Sequence, residues 1–358
     1  MLEQFHVPAE IQRRVTAERL HATVTQLITK VGVTEKDARL CADALVSSDL
    51  RGVETHGVSN ILRNYLRHFA SGHTNPAPNW RVIRETASCA TIDCDRGLGT
   101  ILAQKAMDIA IEKARETGAG LVSMGNGRHL GMAAYHAMKA LPHDMIGTCM
   151  TACGPSTVPT YAGQAGVGTN PIAVAAPAGA EPPFVFDAAM SVIAGNKIGL
   201  AKRLGIDLEP GWIARTDGTP ILQRAPVPDE YFLLPAGSSR ELGSHKGYSL
   251  AVVVDILGGI LNGSPAGPLA TRGHNNHFLA AYAVDAFIDV AEFKRGMDEY
   301  LRSLRNLKPA PERERVVYAG LMEAEEEAER CEHGIPLHPE VYQWFESACN
   351  EYGVPFEL

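Results

Sequence analysis

The sequence predicts an α/β protein whose strands and helices alternate through the middle of the chain, with helices at both ends. Two observations predict this. Between residues 89 and 261, short apolar runs of strand length alternate with longer segments of helical period, the signature of a layered α/β domain. Before Phe69 and after Val290, apolar residues recur instead at three- and four-residue spacing. At 358 residues, 45% of them hydrophobic, the chain has enough material for one compact unit of two subdomains with a substantial core.

From the N-terminus, Val15–Val31 places Leu20, Val24, Leu27 and Ile28 on one helical face, and Thr34-Glu35-Lys36-Asp37 reads as the capping start of a second helix through Leu45. Next comes Arg51–Tyr65, RGVETHGVSNILRNY. From Val58 its apolar residues Ile61, Leu62, Tyr65, Leu66 and Phe69 keep the spacing of one helical face. Thr55 offers a capping hydroxyl, and Gly57 lets a backbone or ligand come close. His56 therefore stands at a helix entrance, with Asn60 and Arg63 four and seven residues on, along one side of the helix. An imidazole beside polar anchors suits carbonyl reduction; a solvated polar helix face is the plainer alternative.

His73–Asn79, HTNPAPN, is a proline-rich break and the first subdomain boundary. Cys89–Cys94 alternates like a strand, and Gly99–Thr117 is a helix closed by Gly118. Gly120–Met124 is a short strand, followed by the loop Gly125–Gly131 and a helix over Met132–Leu141. Strands are expected over Met145–Met150, Pro171–Ala176 and Pro183–Ala188, and helices over Ser191–Leu204 and Tyr248–Leu261. The tail is helical over Val290–Leu304, Leu321–Cys331 and Pro339–Glu351. Its acidic run Glu323–Glu329, EAEEEAE, reads as a solvated helix face.

Composition excludes several classes. The net charge is −8, and no basic run is interleaved with aromatics, which argues against nucleic acid. Apolar runs such as Leu250–Leu257 are too short to cross a bilayer, and the first residues lack a signal-peptide core. Seven irregularly spaced cysteines read as reduced thiols of a soluble cytoplasmic protein. The thirteen histidines form no familiar metal signature, and there is no GxSxG elbow.

Four further segments carry polar groups at positions suited to ligands. Gly125, Gly127 and Gly131 follow a strand and precede a helix. Their spacing departs from a dinucleotide fingerprint, so the loop is either a phosphate cradle or an ordinary turn. In GVGTNP, Gly166–Pro171, the proline is expected to hold Asn170 extended and aim its amide reproducibly. Asp187 ends an apolar strand, where α/β proteins place ligand-binding groups, although it also suits a helix N-cap. Lys246, in GSHKGY, begins a long apolar helix, where a cation is unfavourable unless an anion is near.

Taken in order, the segments RGVETHGV, GRHLGMAAY, GVGTNP, FDAAMS, GSHKGYSLA and HGIPL resemble the second type of malate/L-lactate dehydrogenase family. That family includes L-sulfolactate and ureidoglycolate dehydrogenases, 2,3-diketogulonate reductase and cyclic-imine reductases. The resemblance covers nearly the whole chain. It implies a mixed-sheet, non-Rossmann domain over residues 79–289 that binds NAD or NADP, and a helical domain built from residues 1–78 and 290–358. It also implies a homodimer acting on a small molecule, with no metal. Hydride would pass between the nicotinamide and C2 of a 2-hydroxy or 2-oxo acid. A cyclic-imine reductase or ureidoglycolate-type dehydrogenase is the alternative, and a nucleotide-binding protein with weakened catalysis is the reading from another class.

The same resemblance assigns residues. Thr55-His56 matches the family's Ser-His pair, with His56 as proton donor, and Asp187 matches its aspartate, expected to orient the imidazole directly or through Thr55. His129, Leu130, Gly131 and the adjoining Met132 match the cofactor loop, with Asn170 and Lys246 also on the cofactor and Thr169 on the substrate side. Three positions depart from the family: Thr55 replaces serine, Asn60 stands where an arginine is usual, and Ala319-Gly320-Leu321 replaces Pro-Gly-Glu. Asn60, or Arg63 one turn on, is expected to bind the substrate in the missing arginine's stead.

Overall fold

The computed structural model describes residues 5–271 and 273–358. The chain begins with β1 (Arg13–Val15), α1 (Ala17–Lys30), α2 (Glu35–Leu50) and α3 (Arg63–Ala70). It continues through β2 (Arg81–Glu85), β3 (Cys89–Asp93), α4 (Gly99–Thr117), β4 (Ala119–Gly127), α5 (Ala133–Met138) and β5 (Met145–Ala152). Then come β6 (Ile172–Ala176), β7 (Phe184–Ala188), α6 (Gly195–Leu204), β8 (Ile213–Ala214), β9 (Phe232–Leu233), α7 (Ser244–Val254) and β10 (Asn275–Ala283). The tail is α8 (Val290–Arg305), α9 (Leu321–His333), β11 (Ile335–Leu337) and α10 (Pro339–Tyr352).

The threonines expected to open the first two helices do so: Thr16 and Thr34 accept hydrogen bonds from the backbone amides of Arg19 and Asp37. α1, α2 and α3 then bury Leu20, Leu27, Leu45 and Leu62 against Val341 and Phe345 of α10. β1 pairs antiparallel with β11 beside this cluster, so the two ends of the chain close one core.

The main sheet has seven strands in the order β2-β3-β4-β10-β5-β6-β7. Only β3 and β4 run parallel, and the other pairs are antiparallel, so the sheet is mixed. α4 and α5 cover it through Leu102, Met107, Ile111 and Ala137, which pack on Val122, Met124, Cys149 and Leu279.

No strand is expected from the sequence over Asn275–Ala283, yet β10 is the middle strand, pairing with both β4 and β5. It is buried along almost its whole length, so the polar–apolar alternation that marks a half-buried strand is missing. β2 is likewise unmarked in the sequence, because this edge strand is exposed at every residue.

Four helices differ from expectation. Val58–Leu62 is a wider π-helical turn that leads into α3, and α7 passes into another at Asp255–Gly259. α6 starts at Gly195, after Ser191 has bridged to Pro235. α8, expected in the helical unit, instead packs Leu301 with Tyr318 and Leu321 against Ala178 and Phe184, on the sheet side.

Candidate active site

The site begins where α2 ends. Asp49 is buried, and its Oδ2 accepts the Val58 amide at 2.8 Å, capping the π-helical turn. The contact leaves no room for a side chain at residue 57, since a Cβ on Gly57 would sit 2.0 Å from Asp49 Oδ1. With the cap supplied from α2, Thr55 is free for another partner: its Oγ1 lies 2.9 Å from His56 Nδ1.

His56 is half-buried and stacks on His129, the ring centroids 5.7 Å apart and the planes 4° from parallel. His129 Nδ1 receives the Tyr65 hydroxyl at 2.8 Å and the Gly131 amide at 3.2 Å, which puts the proton of the neutral ring on Nε2. Burial lowers the pKa of His56 to about 4, helped by the positive charge of Lys197. Burial, then His56, takes His129 to about 3. Both rings are neutral at pH 7.

Beside His56 opens a cavity of about 380 Å³. Thr55, His56, Gly131, Met132, Thr169 and Asp187 all line it, so the fold gathers six of the residues expected at the site. Asp187 is exposed, but into this cavity rather than to bulk solvent. Its Oδ2 accepts the Ala134 amide at 2.7 Å, at the start of α5, rather than bonding to His56 or Thr55. Removal from bulk water raises its pKa to about 6, against the opposing pull of that amide.

The remaining expected residues lie elsewhere. Leu130 is buried in the sheet core, and His129 stands behind His56. Asn170 is fully buried and adopts φ 41°, not the extended conformation expected before proline. Its amide is fully used: Oδ1 accepts from the Cys153 amide, and Nδ2 donates to the Ala251 carbonyl and to Asp255. Lys246 is exposed on α7, away from the cavity lining.

Asn60 and Arg63 also point away. Asn60 donates to the Glu54 carbonyl and accepts from Arg203. Arg63 pairs with Glu340 at 2.7 Å and lies over the Trp344 ring. A π-helical turn spends more residues per turn than an α-helix, so residues beyond Val58 do not keep the α-helical alignment with His56 expected from their spacing.

Besides Asp187, three further charged side chains line the cavity, Arg51, Lys197 and Glu323, and none of them is among the residues expected at the site. Arg51 is committed to Glu327 at 2.6 Å. Lys197 is half-buried near the start of α6 and forms no ion pair among the described residues; its ammonium lies 5.9 Å from the Phe5 ring. Burial lowers its pKa, and Glu323 opposes the shift. A cation in the first turn of a helix is the one sequence signal that points here, and it suits Lys197 as well as it suits Lys246. The arrangement sets a neutral proton acceptor beside a free anion anchor in a largely apolar slot.

Comparison with known proteins agrees with this architecture. The family profile described as malate/L-lactate dehydrogenase matches residues 15–346. The malate dehydrogenase of Pyrococcus horikoshii is 38% identical over 95% of this chain and 96% of its own length. The L-sulfolactate dehydrogenase of Methanocaldococcus jannaschii is 32% identical over 93% and 96%. The crystal structure of malate dehydrogenase from Entamoeba histolytica superposes with a TM-score of 0.92, at 30% identity, over 97% of this chain and 100% of that one. With the mixed sheet, the cavity and these full-length matches in hand, the chain belongs to the malate/L-lactate dehydrogenase family and is an oxidoreductase of hydroxy acids.

Proposed function

We propose that the protein moves a hydride between NAD or NADP and C2 of a small 2-hydroxy or 2-oxo acid, with His56 exchanging the proton on the C2 oxygen. The observation that carries this reading is a neutral imidazole and an unpaired ammonium, His56 and Lys197, lining one cavity. The residues fit a nicotinamide dinucleotide. Gly131, Ala133 and Ala134 present backbone and small side chains, and Met132 and Val192 add apolar surface for the nicotinamide ring. When bound, the cofactor gives or takes the hydride.

The other tasks fall to the chain. Lys197 holds the substrate carboxylate through a charge-assisted hydrogen bond. With the His56 Nδ1 proton donated to Thr55 Oγ1, Nε2 keeps a free lone pair to receive the hydroxyl proton during oxidation. A carboxylate on Lys197 offsets that lysine's field and raises the imidazole's proton affinity, which prepares His56 to return the proton during reduction. Asp187 holds the first turn of α5, and through it the wall along which the cofactor lies. Asn170 and the hub around it hold Thr169 at the cavity rim.

The working unit in this reading is a homodimer. Leu250, Val253, Ile256, Ile260 and Leu261 leave an exposed apolar face along α7 and the turn after it, the kind of patch that marks a protein interface. No helix among the described residues is long and apolar enough to cross a membrane. The seven free cysteines suit a reducing cytoplasm.

A spectrophotometric screen of 2-hydroxy acids, 2-oxo acids, cyclic imines and ureido-substituted hydroxy acids with both cofactors tests the reading. Turnover of a 2-hydroxy acid is expected, and His56→Ala should lower kcat by about 10²–10⁴-fold with dinucleotide affinity retained. Dinucleotide binding without turnover of any 2-hydroxy or 2-oxo acid would refute it and leave a nucleotide-binding protein with weakened catalysis.

A further inference from the structure

We infer that one charged face of α9 aligns His56 for proton transfer, with Arg330 as the positioning residue; this rests on the role given to His56 above. Glu323, Glu326, Glu327 and Arg330 recur at the spacing of one helical face. That face runs from the cavity, which Glu323 lines, to the base of the loop that carries His56. This face of the acidic run is a docking strip, while Glu325 keeps the solvated setting expected from composition.

Its bonds converge just ahead of the histidine. Arg330 is 2% exposed. Its Nη2 pairs with Glu54 at 2.8 Å, its Nη1 donates to the Asp49 carbonyl at 2.6 Å, and its Nε donates to Glu326 at 2.8 Å. Glu54, two residues before His56, is itself buried. Arg51 reaches Glu327 at 2.6 Å. Between these anchors Gly52 has φ 69°, and a Cβ there would come within 2.9 Å of Glu326 Cγ, so helix and loop are in direct contact.

The opposite side of the loop is held independently. Asn196 donates to the Thr55 carbonyl, and Asn60 to the Glu54 carbonyl. The loop is thus bonded to both α6 and α9, and His56 beside these bonds lines the cavity. α9 buries little apolar surface, since Leu321 and Arg330 are its only buried residues among those described. Its seat therefore depends on the charged contacts. The Arg330 guanidinium bonds to Asp49, Glu54 and its own helix, so its effect is delivered to this loop.

The test uses the full-length protein and the variants Arg330→Met, Arg330→Lys and Arg14→Met. The last breaks the exposed Arg14–Glu329 pair on the same helix and serves as the control. Cofactor affinity is read by fluorescence titration, and kcat, KM and the pH profile of kcat/KM by turnover. Arg330→Met should lower kcat by about tenfold or more through misplacement of the proton acceptor, with cofactor affinity unchanged. Its acid limb should move to higher pH as water reaches the loosened imidazole. Arg330→Lys should recover part of the rate, and Arg14→Met should match wild type.

Wild-type kcat and pH limb in folded Arg330→Met would overturn the inference. So would loss of cofactor affinity in step with kcat, which marks general damage. If Arg330→Met does not fold, Arg330→Lys carries the same readouts. Absence of wild-type turnover would sink the hydride-transfer reading instead. The His56 imidazole titration, followed by NMR in wild type and Arg330→Lys, would then decide the alignment: a shifted midpoint supports it and an unchanged one overturns it.

Discussion

Residues on either side of Gly57 belong to one polar stretch, yet they meet different surroundings. Arg51 and Glu54 are buried and tied to α9, and His56 after them faces the cavity. Asn60 and Arg63 turn to α6 and α10, where Arg63 shares Glu340 with Arg203 and keeps a 42% exposed side chain. Sequence distance from His56 does not separate the two groups. Asp49 does: by capping the turn at Val58 it sets where the helix begins, and the π-helical turn re-aims the side chains beyond it. A guanidinium a few residues from His56 in sequence need not face the cavity, whereas a lysine brought in on α6 does.

The sharpest way to break this comparison is Lys197→Met. Loss of a charge-assisted bond of about 1.5–3 kcal/mol should raise KM for the acid by roughly 10–100-fold. An unchanged KM would return the anchor to the other side of Gly57.

A smaller effect concerns pH. In the proposed reaction oxidation requires neutral His56, whose pKa is lowered to about 4. The rate should therefore stay level from neutral pH downward and fall only as pH drops through about 4, well below the ~6.5 of a free imidazole. In Lys197→Met the limb should move upward, because removing a nearby positive charge favours the imidazolium. A wild-type limb near the free-imidazole value would mean that His56 is not the titrating base.

The smallest effect is expected on the far side. Arg63→Ala should leave KM unchanged and alter unfolding free energy by only about 0–1 kcal/mol, as for other half-exposed ion pairs. A large rise in KM would show that Arg63 reaches the substrate after all.

Much of the fold is legible from local pattern. The capping threonines of α1 and α2, the boundaries of α4, and the strands β5, β6 and β7 depend on residues a few positions apart. β10 is not, because a strand buried on both faces loses its alternation. At the site, Thr55, His56 and Asp187 stand out by residue type and neighbours, and all three line the cavity. Asp187's actual partner, an amide of α5, does not.

By itself the sequence determined the helical and strand periods, the caps and the resemblance that runs along nearly the whole chain, since each depends on residues close together or in fixed order. Only the tertiary structure decided which charges meet. Arg330 and Glu54 are 276 residues apart, and their pairing depends on distance through space and on how much water is excluded. The same two quantities leave Lys197 free in the cavity with His56 and keep Arg63 on Glu340.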